Sequence, residues 1–292
     1  MTKLVYFIAV FFFLTSCKQA IRELPEEDAQ DNYSKIQLAG DTTVHKLRID
    51  GQYTYVNEVA GIYYYAEDMT ITDEQFHLLM KLTNSKLTTT ERATITTSLT
   101  SLWPDNTVFY RLPEQQSLSD ANYRTFLNNI QVAFNMITAQ TDIRFVAQTD
   151  QSEYVQFVYA TGNSSPLGFS RNRVNNVRIA SINTPAIIAH EIMHSLGMRH
   201  EQCRPDRDEY IHVYVDRAQA ASRNNFNIYA GYIGHGDFDF QSVMMYSSFN
   251  FAIDPNIPVM TKLDGTTFER QRTRLTPGDY AGINALYPAI AE

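Results

Sequence analysis

The chain has 292 residues and a formal net charge of −8 at pH 7. That acidic balance excludes nucleic acid as the expected partner, because phosphate binding needs a basic surface. Only two cysteines, Cys17 and Cys203, are present, so stability must rest on an apolar core, which a chain of this length can build.

Taken in order, the chain opens with Lys3 and an apolar run over residues 4–14. Eleven residues are too few to cross a bilayer, which takes about twenty. The run reads as the hydrophobic region of a signal peptide, residues 1–16. The stretch "LTSC" at residues 14–17 is similar to a bacterial lipobox. That similarity implies cleavage before Cys17, a lipid on its thiol, and a place in the cell envelope or outside the cell.

Residues 17–92 read as a tether and pro-segment. Residues 18–92 carry eight Lys and Arg against thirteen Asp and Glu. The polar start, to about Lys35, is expected to be a tether. The aromatic-rich "YTYVNEVAGIYYYAED" reads as short strands. "TDEQFHLLMKLTN" reads as a helix with Thr72 at its N-cap and Gln75 three residues on, the pattern of a capping box.

Residues 93–292 read as a second, larger unit. A strand is expected in "LWPDNTVFYRL". An amphipathic helix follows in "SDANYRTFLNNIQVAFNMITAQT", capped by Ser119 or Asp120. "DIRFVAQ", "YVQFVYA" and "VNNVRIASI" read as strands. "TPAIIAHEIMHSLG" reads as a helix, with Thr184 as N-cap, Pro185 at its first position and Gly197 at its stop. On that helix His190 and His194 are four residues apart and leave the same face. Gly197 allows a sharp turn, and His200 can return as a third metal ligand. Three protein ligands leave a tetrahedral Zn²⁺ one open position, the catalytic arrangement. In an H-E-x-x-H helix the glutamate, here Glu191, is the general base for a water whose pKa zinc lowers to roughly 7. "SVMMYSS" at residues 242–248 fits a methionine turn downstream of the extended zinc motif. "TPGDYAGINALY" reads as a closing helix, with Thr276 as cap and Asp279 three residues on.

These motifs together resemble the astacin family of metzincin zinc endopeptidases. The zinc motif continues through His200, Glu201, Arg204, Asp206, Arg207 and Asp208 as in that family. Ser242, Met244 and Tyr246 match its methionine turn, with Met245 where the family has His. "QRTRLTPGDYAGINALY" and "LWPDNTVFYRL" match its closing and opening segments, so the resemblance spans residues 93–287. It implies an α+β fold: a metzincin catalytic domain with a twisted mixed sheet and two long helices in an upper lobe. An irregular lower lobe ends in a C-terminal helix. It implies one Zn²⁺ on His190, His194 and His200, with Glu191 as base and proton shuttle. Tyr246 would be an added ligand at rest and a donor to the oxyanion during turnover, and Met244 a structural platform. Proteins or peptides are the implied substrates, the membrane is met only through the lipid on Cys17, and the chain is expected to be a monomer. A noncatalytic surface-binding protein with a structural zinc site is the alternative, and Glu191 and Tyr246 count against it.

The resemblance also implies latency through a pro-segment aspartate that displaces the catalytic water. "YAEDMTIT" offers Asp68, with Glu67 where the family has glycine, and "LAGDT" offers Asp41. Asp68 is the expected one, although aspartates of both kinds also serve ordinary turns. Glu201 is expected to lie buried and to pair with a new amino terminus after a cut at Arg92–Ala93. Cys203 is expected to be a buried inert thiol. Arg270, Arg272 and Arg274 are candidates for a basic pocket that would accept an acidic residue after the scissile bond.

Overall fold

The computed structural model describes residues 32–38, 41–49, 51–84, 86–87, 101–228 and 234–290. The expected signal segment, Cys17 and the Arg92–Ala93 bond lie outside them.

Residues 32–87 fold into the short strands and the helix expected for the segment ahead of the catalytic part. Strands β1 (Tyr33–Gln37), β2 (Thr42–Ile49), β3 (Gln52–Val59) and β4 (Ile62–Tyr64) run antiparallel in sequence order. The β3–β4 turn places Ala60 at φ 51° and Gly61 at φ 77°. Both central residues are thus left-handed, as a tight hairpin turn with the right twist requires. Strand β5 (Met69–Ile71) pairs antiparallel with β4. Helix α1 (Asp73–Leu82) follows, and Thr72 and Gln75 complete the expected capping box. The polar composition around Tyr33–Lys35 hides a strand because β1 is an edge strand, and only one of its sides needs a partner.

The upper lobe is a parallel sheet covered by helices. Strands β6 (Thr107–Arg111), β7 (Arg144–Ala147) and β8 (Tyr154–Tyr159) precede β9 (Ser165–Pro166) and β10 (Val174–Ile179). The sheet order is β10-β8-β6-β7, with every pair parallel. Its mixed character comes from an antiparallel bridge between Ser164 and Arg178. Strand β9 pairs in parallel with β5, so the pro-segment sheet is built onto the catalytic part. Helix α2 (Asp120–Thr138) is capped by Ser119 and buries Phe126, Ile130, Phe134 and Ile137. Those side chains meet Val108, Phe157, Val177 and Ile192 in one core, which helix α3 (Pro185–Ser195) enters with nine of its eleven residues buried. A helix apolar on all sides belongs inside a protein, and this explains how its His and Glu come to be enclosed.

Among the described residues the lower lobe has short 3₁₀ turns and one small ladder, β11 (Ile211–Val213) against β12 (Met260–Lys262). Helix α4 (Pro277–Leu286) closes the chain with the expected Thr276–Asp279 capping box. It returns to the upper core, where Ile283 and Tyr287 are buried. The Trp103 indole donates to Ser195 O at 2.9 Å, and the Tyr287 hydroxyl donates to Leu196 O at 3.0 Å. The carbonyls left unpaired at the end of α3 thereby gain donors.

Candidate active site

The end of α3 brings the site together. His190 and His194 leave one face of the helix, and the helix stops at Gly197, whose φ of 96° only a residue without Cβ adopts freely. The turn carries His200 back onto the helix. His190, His194 and His200 are at most 2% exposed. The His190 Nδ1–H donates to Val243 O and the His194 Nδ1–H to Met198 O, both at 2.8 Å. These bonds leave each Nε2 lone pair facing the shared centre, where a metal needs it. Burial pushes His190 down to about 3 despite the hydrogen bond with Asp68, and it also lowers His200. Neutral imidazole is the metal-binding form.

Asp68 completes the cluster from the pro-segment. Its Oδ2 lies 3.3 Å from His190 Nε2 and 3.3 Å from His200 Nε2, and its Oδ1 lies 3.6 Å from His194 Nε2. A tetrahedral zinc with bonds of 2.0–2.1 Å separates its ligand atoms by about 3.3 Å. The three carboxylate–imidazole separations are near that value, and all four donor atoms lie within 4.8 Å of one another, so the set can hold such an ion. His194 Nε2 and Asp68 Oδ1 are buried without a hydrogen-bond partner, as atoms reserved for a metal would be. Burial would raise the Asp68 carboxyl, but the three imidazoles around it, His200 foremost, hold it well below the usual range. Asp41, the competing candidate, is exposed on β2's approach and belongs to no such cluster among the described residues.

Glu191 is 1% exposed. Burial first, and then the neighbouring Asp68 charge, push it well above the ordinary carboxylate range. Its Oε2 has no hydrogen-bond partner. A cleft of about 650 Å³ opens at this point, lined in part by Glu67, Glu191, Tyr246, Arg270 and Arg272. The Tyr246 ring packs 4.4 Å from the His200 ring, centroid to centroid. Met244 is buried in the upper core and Met245 in the lower one, so Met245 fills core space where the family has His. Arg270 and Arg272 reach the cleft, whereas exposed Arg274 is not part of its lining.

Glu201 is largely buried, as expected, and burial pushes it up to about 7. In the uncut chain its Oε1 accepts from Arg204 Nη1 at 3.1 Å and from the Asp239 N–H at 2.9 Å. Arg204 also grips Asp206. Sequence reading missed Asp279 as more than a cap. Its Oδ1 accepts from Ser242 Oγ at 2.6 Å, and its Oδ2 from the Val243 N–H at 3.1 Å. The only sequence signal was the capping box itself, which says nothing about a turn far away in the chain.

Comparison with known proteins agrees with this geometry. The family model for astacin, a peptidase family, matches residues 95–288. The chain belongs to the astacin family; its fold is the α+β metzincin fold and its cofactor is zinc. Flavastacin of Elizabethkingia meningoseptica is 57% identical over 277 residues, which are 95% of this chain and 62% of flavastacin. The chain thus spans about three fifths of that relative's length. Astacin-like metalloprotease toxin 2 of Loxosceles intermedia is 30% identical over 197 residues, 63% of this chain and 73% of the toxin. Among solved structures, High choriolytic enzyme 1, a hatching enzyme zinc-protease of Oryzias latipes, aligns with a TM-score of 0.57 and 26% identity. The alignment covers 64% of this chain and 93% of that one.

Proposed function

We propose that this chain is a zinc-dependent endopeptidase of protein or peptide substrates, made as a latent precursor. The observation that carries the reading is a buried carboxylate, Glu191, with an unpartnered oxygen at the mouth of a three-histidine cluster. A structural metal site has no use for such a group. His190, His194 and His200 hold the zinc. Zinc bound there supplies a Lewis acid that makes a water nucleophilic near neutral pH and polarises the attacked carbonyl. Glu191 Oε2 takes the proton of the attacking water and passes it to the leaving amine. Tyr246 donates its hydroxyl hydrogen to the developing oxyanion. Asp68 occupies the fourth donor position and keeps the precursor latent. Arg270 and Arg272 favour an acidic residue after the scissile bond.

Glu191→Gln should keep its zinc and lose activity by about 10²–10⁴-fold, the usual value of a positioned base. His200→Ala should lose both zinc and activity. Metal analysis and peptide hydrolysis on the same preparations check the pair. A zinc-loaded Glu191→Gln enzyme working at the unmodified rate defeats the assignment.

Export and a lipid on Cys17 belong to the same proposal, supported by "LTSC" after an apolar run. Among the described residues no helix is long and apolar enough to cross a membrane. Cys17→Ser should move the protein from the membrane fraction to the soluble one. Absence of fatty-acid label on the unmodified chain would overturn the lipid assignment. The working unit is proposed to be a monomer that binds no nucleic acid.

A further inference from the structure

The pro-segment does more than carry Asp68 into the cleft. Its strands and α1 enclose a core of their own, in which Leu47, Val56, Met69, Phe76, Leu79 and Leu82 are buried. Leu167 and Cys203 of the catalytic part complete that core. The polar contacts across the boundary are enclosed as well. The Ser165 N–H donates to Asp68 O at 2.8 Å and the Leu167 N–H to Thr70 O at 2.9 Å. Gln75 Nε2 donates to Leu167 O at 3.2 Å.

A turn of the lower lobe adds a clamp. Asn224 Nδ2 donates to Tyr55 O at 3.0 Å and to Tyr65 O at 2.7 Å. Asn225 Oδ1 accepts from the Glu67 N–H at 3.0 Å. Both asparagines are 2% exposed. Tyr55 lies on β3, whereas Tyr65 follows β4, so one amide can reach both carbonyls only when that hairpin is folded. The clamp therefore recognises a folded domain rather than an extended peptide. None of these contacts uses residues 88–100, where an activating cut would fall.

We infer that residues 32–87 are a detachable folded inhibitor, held by the Asn224–Asn225 clamp and the shared core, and that cutting the connecting segment alone does not end latency. The inference rests on the reading that Asp68 blocks the metal site. A cut removes the tether, which had held the domain at an effective concentration of order millimolar. It removes none of the contacts named above. With a dissociation constant near 10⁻⁷ M, the weak end of standard interfaces, about nine-tenths of the pairs stay together at about 10 μM. Activation then requires dilution or destruction of the released domain.

The test uses the zinc-loaded full chain with a site-specific protease recognition sequence inserted after Thr90. The cut protein at about 10 μM should co-elute as one species on size exclusion and keep at most about a tenth of the activity it shows after about thousandfold dilution. Asn224→Ala should weaken the cut pair about tenfold to hundredfold, because two buried carbonyls lose their donor. Leu79→Ala, which opens a cavity in the core that the two parts share, should weaken it too. Full activity at about 10 μM immediately after cutting, with the uncut chain silent, overturns the inference and leaves Asp68 latency standing. A pair unaffected by both substitutions also overturns it. Full activity in the uncut chain overturns the latency reading itself.

Discussion

Asp68 contacts all three imidazoles, and Asp41 is exposed. Asp68, favoured over Asp41 in the sequence as the latency aspartate, is therefore also the one whose position supports that role. Asp68→Ala should make the uncut precursor hydrolyse peptides, whereas Asp41→Ala should leave it silent, and a fluorogenic peptide assay on intact chains compares them. Equal silence in both would show that bulk, not the carboxylate, closes the site. Asp279 offers a second test at this scale. It fixes Ser242 and the Val243 N–H, and the carbonyl of the same residue, Val243 O, accepts from His190 Nδ1. The carboxylate thus orients a metal ligand through one residue of backbone. Asp279→Ala should lower zinc affinity about 10–100-fold, the usual cost of losing an outer partner of a ligand. Ile283→Ala on the same helix, which is buried but touches no ligand, should destabilise the fold and leave zinc affinity alone. Asp279→Asn should recover most of the affinity, since an amide oxygen can still accept from Val243. Chelator competition on folded protein gives all three values, and equal losses for Asp279→Ala and Ile283→Ala would reduce Asp279 to a simple cap.

At the scale of elements, legibility followed locality. Helices α1 and α4 were readable to within a residue because their capping boxes lie within four residues of sequence, and both boxes form. Helix α3 was readable because its apolar run, Pro185 and Gly197 mark both ends. The zinc-binding histidines came with it, since helical spacing alone puts His190 and His194 on one face. Strands β5 and β9 were not readable. They have three and two residues, β9 is paired as a strand only with β5, and β5 leans on both β4 and β9. Nothing in "SP" announces a strand when its partner is about a hundred residues earlier. The Asn224–Asn225 clamp escaped for the same reason.

At the scale of the whole molecule, Cys203 of the catalytic part sits in the core built mostly by residues 32–87, and this makes it a built-in reporter of their separation. The side chain is 0% exposed, and burial pushes its thiol up to about 12. Its apolar surroundings, Leu47, Val56, Tyr65 and Met69, come chiefly from the pro-segment. The Sγ–H points to Asn225 O at 3.2 Å, against the clamp itself. A thiolate is the reactive form, so this cysteine is doubly protected in the precursor, by lack of access and by lack of ionisation. Removal of residues 32–87 strips away most of the apolar wall, hydrates the sulfur and lets its pKa fall toward the ordinary value of about 8.5. In a Cys17→Ser background, where Cys203 is the remaining cysteine, the uncut chain should take up a thiol reagent only as fast as it unfolds. The matured enzyme should take up one equivalent readily at mildly alkaline pH. Cut protein held at high concentration should behave like the uncut chain, and should become reactive on dilution in step with the appearance of peptidase activity. Rapid labelling of the uncut precursor would mean that the shared core opens freely in solution, and persistent protection after the inhibitor has gone would mean that the catalytic part encloses Cys203 unaided.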